Sequence, residues 1–420
     1  MIVETKDAGI KFAKARTVRT VIGEQVGPNS WRIPEGLLNE FKSQGMNVER
    51  VIESVSFDLR LPKRGGKGIA GASTSKPRDM WSREKWNISK FREEGLTGKS
   101  VKVGIIDSGL DFGHPSFKTL ATEARIGGFA KFDKKGNITH ELIGRSQDVL
   151  NLPEDVQYSH YHGTHCAGII CANQVGGKGE GISPSVELFV ANALDRDNGG
   201  EVEQIYVALE WLAQQRCDIV SISLGWWGFR DHWAIPIRNI LQTGAIVVAA
   251  SGNEYSDYHI DRSYAPTRSP GNYAFNNLSG SYPGYFLSIG ATDKADDVAP
   301  FSGGGKIIWP DTYDEDPQGE RVTFFAGSKE FVVPSFVAPG VDISAPVLRS
   351  KYDSIDGTSQ STPHVAGLLA LVLEKLRRER PEWATPRRAA EIVVRSLTDH
   401  GLPGVDERFG SGLLDINALF

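Results

Sequence analysis

Three short segments carry a carboxylate, an imidazole and a hydroxyl in the order Asp, His, Ser, and this order most restricts what the chain can fold into. The segments are Ile105-Ile106-Asp107-Ser108-Gly109, His162-Gly163-Thr164-His165 and Gly357-Thr358-Ser359-Gln360-Ser361-Thr362-Pro363. A serine hydroxyl is a weak nucleophile at neutral pH, so it needs a histidine to take its proton and a carboxylate to orient that histidine. These groups occur on unrelated folds in different chain orders, so the order discriminates between folds.

Two other folds that use the same groups do not fit this sequence. An α/β-hydrolase has the order Ser, Asp, His and a Gly-x-Ser-x-Gly turn, whereas position 361 here is Ser361. A chymotrypsin-like barrel has the order His, Asp, Ser. The order Asp, His, Ser therefore favours a third fold.

The first two segments lie beside patterns that predict regular structure. Residues 101–106 form a nearly continuous apolar run, which is typical of a buried parallel strand with Asp107 at its carboxyl end. Open α/β sheets form their sites at that edge. His162 begins a run of small residues, which predicts a tightly packed buried helix.

The third segment is expected at the start of a helix. Ser359 precedes Pro363 and an apolar stretch at 365–373, and proline is tolerated in a first helical turn, where its missing N–H costs nothing. The free amides and the dipole of a helix N-terminus favour developing negative charge. We therefore expect Ser359 to lie where it can act as a nucleophile.

On these three segments the chain resembles the subtilisin-type serine endopeptidases, the subtilase family, from about Trp81 to the C-terminus. The resemblance implies an α/β three-layer sandwich with a mostly parallel, doubly wound sheet, preceded by a small N-terminal α+β segment. It implies that Asp107, His162 and Ser359 form a triad that hydrolyses peptide bonds through an acyl-enzyme intermediate. It assigns the base to the first histidine of His-Gly-Thr-His, which leaves His165 as a structural neighbour.

A fourth residue follows from the same resemblance. Residues 245–250 read as another buried strand, and Ser251-Gly252-Asn253-Glu254 comes directly after it. In subtilases the asparagine of the matching Gly-Asn donates its side-chain amide to the oxyanion, alongside the backbone N–H of the nucleophile. Asn253 and the N–H of Ser359 are therefore the expected oxyanion hole.

The expected substrate is a protein or peptide in extended conformation, added to an exposed strand. The resemblance assigns eight substrate-binding residues around the cleft: Ser223, Leu224 and Gly225 on one side, Gly199 and Gly200 on the other, Gly252 and Glu254 near the rim of the S1 pocket, and Ser281 on its wall. It also places Leu224, Val202 and Ile205 around an apolar pocket four residues upstream of the cut, with core packing as the alternative for Ile205. An exposed rim carboxylate at Glu254 would favour a basic residue.

The N-terminal part of the chain differs in charge from the rest. Residues 1–76 hold 13 Lys and Arg against 8 Asp and Glu, which gives +5, whereas residues 77–420 carry −10. Opposite charges favour electrostatic docking between the two parts. Alternating patterns predict strands at 18–26 and 48–61, and 34–42 is predicted to be helical.

We divide the chain into residues 1–62, a linker at 63–80 and a catalytic domain at 81–420. Residues 1–62 are either a prodomain, which inhibits the enzyme intramolecularly and is then removed, or a permanent subdomain. The sequence leaves both interpretations open.

Composition limits the other partners. The net charge of −5 is too small to indicate nucleic acid or an anionic membrane, and no apolar run approaches the ~18 residues of a membrane span. The N-terminus lacks the apolar region of a secretory signal, and the cysteines Cys166, Cys171 and Cys217 give no disulfide framework. We expect a cytoplasmic protein.

No cofactor is expected. Subtilases often bind a structural calcium through an Asp two residues after a His-Pro, but this chain has Ser116 and Phe117 after His114-Pro115, and its loop at 173–179 holds few carboxylates. We therefore expect that calcium site to be absent. A structural cation elsewhere stays open.

Three insertions are expected to restrict access to the site, at about 129–159, 256–280 and 305–333.

Two alternatives to a peptidase also stay open: a catalytically silent binding module with this fold, and a hydrolase of non-peptide esters or amides.

Overall fold

The computed structural model describes residues 2–5, 24–27, 30–33, 48–52, 56–58, 73–228, 230–257, 266–273, 282–309, 313–315, 321–323 and 329–420. The strands are β1 Ile2–Thr5, β2 Glu24–Gly27, β3 Ser30–Arg32, β4 Val48–Ile52, β5 Ser56–Asp58, β6 Lys102–Asp107, β7 Ile126–Phe132, β8 Ile138–Ile143, β9 Glu187–Asn192, β10 Gly199–Glu201, β11 Ile219–Ile222, β12 Trp226–Trp227, β13 Ile246–Ala250, β14 Arg268–Ser269, β15 Tyr285–Thr292, β16 Gly305–Trp309, β17 Tyr313–Glu315, β18 Arg321–Thr323, β19 Lys329–Val333, β20 Phe336–Pro339, β21 Ile343–Val347, β22 Lys351–Ile355, β23 Leu397–Thr398 and β24 Leu413–Leu414.

The α-helices are α1 Trp81–Lys85, α2 Ile88–Glu93, α3 Pro115–Thr122, α4 Glu154–Gln157, α5 Tyr161–Cys171, α6 Val202–Gln214, α7 Ala234–Gln242, α8 Thr358–Glu379 and α9 Pro386–Arg395. Short 3₁₀ turns lie at Ser146–Asn151, Tyr255–Asp257, Pro381–Trp383 and Ile416–Leu419. No helix in the described ranges is both long enough and apolar enough to cross a membrane.

The central sheet has eight strands in the order β20-β15-β13-β11-β6-β9-β7-β8. Every neighbouring pair is parallel except β7 and β8. Successive side chains of a strand face opposite sides, so Ile246 and Val248 join one apolar cluster while Val247 and Ala249 join the other. Helices α5 and α8 contribute to the first cluster and α6 and α7 to the second. The predicted three-layer, doubly wound fold is confirmed.

Strand β6 lies where the direction of sheet growth reverses. After β6 the chain adds β7, β8 and β9 on one side, and it then crosses to add β11, β13, β15 and β20 on the other. A crevice opens at the carboxyl ends of strands at such a switch point. Asp107 ends β6 and Ser223 follows β11, so both lie at this crevice.

Helix α8 begins earlier than the sequence suggests. It starts at Thr358, so Pro363 lies inside the helix and not in its first turn. A proline has no N–H to donate to the carbonyl four residues before it, which here is that of Ser359. That carbonyl accepts from Ser223 Oγ at 2.9 Å and from Cys166 Sγ at 3.5 Å. The helix interior therefore ties the predicted nucleophile to the segment after β11.

The insertion at 129–159 differs from the expected loop. Its first residues complete β7, and β8 pairs with β7 in antiparallel register as the edge of the central sheet. The exposed residues of β8 have no buried face, which explains why the sequence pattern gave no strand signal. In the insertion at 305–333, β16 and β19 form an antiparallel ribbon.

The N-terminal strands form a separate antiparallel sheet in the order β2-β3-β1-β4. Strand β5 instead pairs antiparallel with β10, with Phe57 opposite Gly200 and Asp58 opposite Gly199. Strand predictions at 18–26 and 48–61 thus coincide in part with β2, β4 and β5. The helix predicted at 34–42 lies outside the described residues, and the domain boundaries stay predictions.

Candidate active site

A buried acid–imidazole pair lies at the end of β6. His162 Nδ1 is 2.9 Å from both oxygens of Asp107, and the two side chains are almost fully buried. Asp107 Oδ1 also accepts from the Ser108 N–H at 2.7 Å. Helix α5 carries His162 in its first turn, and a Cβ on Gly163 would lie 2.3 Å from the Gly109 carbonyl oxygen. Only glycine lets α5 approach β6 closely enough for the pair to form.

The pair changes the basicity of His162. Burial by itself lowers the pKa of His162, but the Asp107 carboxylate together with Cys166 outweighs it, and the pKa is raised well above its usual value. With Nδ1 directed at Asp107, Nε2 is the nitrogen left to accept a proton. This is the tautomer that a general base needs.

Ser359 lies in the first turn of α8, close to this pair but not bonded to it. Its Oγ donates to the Ser223 carbonyl at 3.1 Å, and between the described residues Ser359 and His162 the structure has no hydrogen bond. Cys166 connects the two, because its Sγ is 3.8 Å from His162 Nδ1 and 3.5 Å from the Ser359 carbonyl oxygen. For Ser359 to pass its proton to His162, its side chain has to rotate away from the Ser223 carbonyl.

Cys166 itself is fully buried, and burial raises the pKa of its thiol. A protonated, buried thiol is a poor nucleophile. It therefore fills space beside His162.

Asn253 is tied to the residue before the nucleophile. Its Oδ1 accepts from both the backbone N–H and the Oγ1 of Thr358, each at 2.9 Å. Because a backbone N–H only donates, the oxygen of the amide must face Thr358. The amide nitrogen Nδ2 is then turned away from Thr358, and it has no hydrogen-bond partner in the described part of the chain. Sequence reasoning missed the role of Thr358, although it is part of the Gly-Thr-Ser segment.

The backbone around Asn253 has a conformation that favours glycine. Gly252 has a φ of +122°, and its N–H donates to Thr358 Oγ1 at 3.3 Å. The Asn253 N–H donates to Glu254 Oε2 at 2.7 Å. Thr358 therefore holds the segment after β13 against the N-terminus of α8.

The substrate-binding residues predicted from the resemblance lie in different environments. Leu224 is buried in the same apolar cluster as Val202 and Ile205. Gly199 and Gly200 form β10, the strand that pairs with β5. Ser281 lies outside the described residues.

Glu254 differs from the expected exposed rim carboxylate. Its side chain is only 5% exposed and its Oε1 is 2.7 Å from Nη2 of Arg268. Arg268 Nε donates to the same oxygen at 2.7 Å. Two opposite charges buried together stabilise each other, so Glu254 presents no free charge to a substrate. No sequence motif points to Arg268, which lies in the insertion at about 256–280.

The remaining histidines near the site are committed to structural hydrogen bonds. His165 Nε2 donates to the carbonyls of Ile343 and Asp353, and burial lowers the pKa of His165 to about 3. His364 bonds Ser82 and the Gln360 carbonyl, and burial lowers the pKa of His364 to about 4. Both rings are therefore neutral and unavailable as bases.

Few groups in the described part of the chain suit a metal. One cluster there has His, Cys and acidic donor atoms within 4.8 Å of one another, and it consists of Asp107, His162 and Cys166. An ion there would displace the hydrogen bonds of the acid–imidazole pair.

The residues at the usual subtilase calcium position are occupied in other ways. Ser116 Oγ bonds the hydroxyl of Tyr352, and Phe117 is fully buried. In the loop at 173–179, Asn173 Oδ1 accepts from the guanidinium of Arg125 at 3.2 Å. An arginine thus supplies the positive charge beside this loop.

A mostly parallel sheet with an acid–imidazole pair at its carboxyl edge, beside a serine at a helix N-terminus, defines an α/β serine hydrolase. Comparison with known proteins gives the family. The chain belongs to the subtilase family, whose sequence profile matches residues 98–412. It is therefore a subtilisin-type serine protease.

The individual relatives are distant. The minor extracellular protease Epr of Bacillus subtilis is 26% identical over 83% of this chain and 43% of its own length. The major intracellular serine protease of the same organism is 27% identical over 72% of this chain and 74% of its own length. Subtilisin E, also from Bacillus subtilis, is 27% identical over 78% and 68% respectively. The chain thus spans less than half of the first of these relatives.

We predict that Asn253→Ala lowers kcat by about 10²- to 10³-fold with little change in KM, because the variant loses a donor to the oxyanion. Asn253→Asp is the matched variant, since it keeps an oxygen facing Thr358 but has no donor. Steady-state kinetics on a peptide substrate measure both. If Asn253→Asp keeps wild-type kcat, Asn253 only positions Thr358 and the assignment is wrong.

We predict that kcat/KM falls on acidification with an apparent pKa above the usual imidazole value of about 6.5. A raised pKa keeps His162 protonated up to a higher pH, and protonated His162 cannot accept the Ser359 proton. Asp107→Asn should shift this acid limb to lower pH and reduce kcat by about 10⁴-fold. Asp111→Asn, a nearby buried carboxylate, is the control and should not move the limb. An unchanged limb in Asp107→Asn contradicts the prediction.

Proposed function

We propose that this protein is an endopeptidase that cleaves peptide bonds with Asp107, His162 and Ser359 as its triad. The observation that carries the proposal is the buried Asp107–His162 hydrogen bond beside Ser359 at the N-terminus of α8. A hydrolase with this arrangement can activate a hydroxyl without a metal or cofactor.

The reaction follows from the positions of these groups. Ser359 Oγ attacks the substrate carbonyl carbon while His162 Nε2 takes its proton, and Asp107 stabilises the imidazolium that forms. The oxyanion accepts from Asn253 Nδ2 and from the N–H of Ser359, which is in the first turn of α8 and needs no intrahelical partner. The tetrahedral intermediate collapses, the amine leaves with the proton of His162, and water repeats the sequence to release the acid.

Residues 1–62 are proposed as an intramolecular inhibitor. Strand β5 is paired with Gly199 and Gly200, the edge where the resemblance predicts that an extended substrate binds. The charge of +5 on residues 1–76 against −10 on the rest favours the same docking. Thr74 and Tyr352 exchange two backbone hydrogen bonds, so the chain from Thr74 onward is attached to the catalytic part. A cut that releases the inhibitor would therefore fall between β5 and Thr74.

The protein is further proposed to be cytoplasmic and to need no calcium at the usual subtilase site. Its three cysteines are buried free thiols, which suits a reducing compartment. The names of its relatives include both an extracellular and an intracellular protease. The Arg125 guanidinium beside Asn173 supports the absence of a cation from that loop.

The function is tested by peptide-library cleavage mapped by mass spectrometry. We predict that the wild type cleaves peptides and is labelled by a fluorophosphonate, that Ser359→Ala does neither, and that Ser361→Ala, a buried serine two residues further along α8, retains both. Absence of labelling in the wild type would favour a silent binding module. Ester hydrolysis without peptide cleavage would favour the non-peptidase alternative.

The inhibitor is tested by intact mass of the same variants after purification. We predict that the wild-type chain loses an N-terminal fragment ending between residues 59 and 73, whereas Ser359→Ala keeps its full mass because it cannot cut itself. Full mass in an active wild type would show that residues 1–62 are a permanent subdomain.

A further inference from the structure

The residue before the cut must lie between two segments of this site. Its carbonyl carbon has to reach Ser359 Oγ, and its oxygen has to face Asn253. If its backbone runs along residues 223–225, its side chain enters the space between that segment and residues 252–254. This placement depends on the proposed peptidase function.

The backbone of Arg268 borders this space on both sides. Strand β12 begins directly after Gly225 and pairs with β14, with Trp227 opposite Arg268. The Arg268 N–H also donates to the Ser251 carbonyl at 2.9 Å. These backbone contacts by themselves place Arg268 between the two segments.

The stem of the Arg268 side chain runs between the two glycines that line the space. A Cβ on Gly225 would lie 2.9 Å from Arg268 Cβ, and a Cβ on Gly252 would lie 3.3 Å from Arg268 Cγ. Because Gly225 and Gly252 have no side chains, there is space between the two segments, and the Arg268 side chain occupies it.

The Arg268 guanidinium occupies the interior of the space between residues 223–225 and residues 252–254. Nη1 donates to the Gly225 carbonyl at 2.6 Å, while Nε and Nη2 contact Glu254 Oε1, each at 2.7 Å. Glu254 is held in turn by the N–H of Asn253 at 2.7 Å. The side chains of Arg268 and Glu254 are only 6% and 5% exposed. One ion pair therefore bridges residues 223–225 and residues 252–254.

We propose that Arg268 is a specificity-determining residue that fills the pocket for the residue before the cut and restricts it to Gly, Ala or Ser. A large apolar side chain would have to displace a buried guanidinium from its carboxylate. A basic side chain would add a second cation beside Arg268. An acidic side chain would compete with Glu254 for the guanidinium and leave one carboxylate buried without its partner, which is strongly unfavourable.

The charge arrangement also predicts what replaces Arg268 when it is removed. In Arg268→Ala the space is vacated and the carboxylate of Glu254 loses its cation. A Lys or Arg before the cut can then supply that cation from the substrate. The preference should change from small to basic residues.

The test compares kcat/KM for peptides that differ only in the residue before the cut. We expect the wild type to cleave after Ala at least ~10²-fold better than after Phe, Glu or Arg. Arg268→Ala should raise kcat/KM after Arg and Lys by ~10²-fold. The double variant Arg268→Ala/Glu254→Gln should lose the gain for basic residues while it keeps a gain for Phe. Arg378→Ala, at an exposed position of α8, should leave the profile unchanged.

Fluorophosphonate labelling of Ser359 in each variant separates the proposed peptidase function from the proposed role of Arg268 in specificity, because the probe needs no side chain in this pocket. A labelled wild type that cleaves readily after Phe, Glu or Arg overturns the role of Arg268 and leaves the peptidase function standing, even if Arg268→Ala fails to fold. A labelled Arg268→Ala with an unchanged profile also overturns it. Absence of both labelling and peptide cleavage in the wild type overturns the proposed function and this inference together.

Discussion

The buried Asp107 carboxylate is the constraint on which the site depends. A carboxylate at the end of a buried strand is stable only when donors surround it, and Ser108 and His162 supply them. His162 can do so only because Gly163 allows α5 to approach β6. Asn253 contacts the first residue of α8, whereas Asp107 joins β6 to His162 on α5. Substitutions at Asn253 and at Asp107 therefore act on different parts of the site.

Ser359, the proposed nucleophile, is positioned by a gap in helix hydrogen bonding. Pro363 cannot donate to the Ser359 carbonyl, and Ser223 and Cys166 donate to it instead. The same helix begins with Thr358, which holds Asn253. Two adjacent residues of α8, Thr358 and Ser359, therefore tie the start of this helix to the segments after β13 and β11.

Most of the fold could be predicted from the sequence, and so could the position of Asp107 and Asn253 at one edge of the sheet, because apolar runs end at Asp107 and at the residues before Asn253. The pattern could not predict strand β8, whose exposed residues show no buried face. It could not predict the start of α8, because Pro363 suggested a first turn where the structure has a helix interior. Nor could it predict that Glu254 is buried, because its partner Arg268 is 14 residues away with no periodic pattern between them.

The Glu254–Arg268 pair joins the proposed specificity pocket to the proposed oxyanion site. Glu254 accepts from the Asn253 N–H, and Arg268 donates to the Gly225 carbonyl, so the ion pair holds residues 252–254 against residues 223–225. In this chain, enlarging the proposed pocket by removing Arg268 would also remove these contacts. If Arg268 sets the proposed preference for small residues, the contacts that set it also hold residues 252–254, which contain the proposed oxyanion donor Asn253.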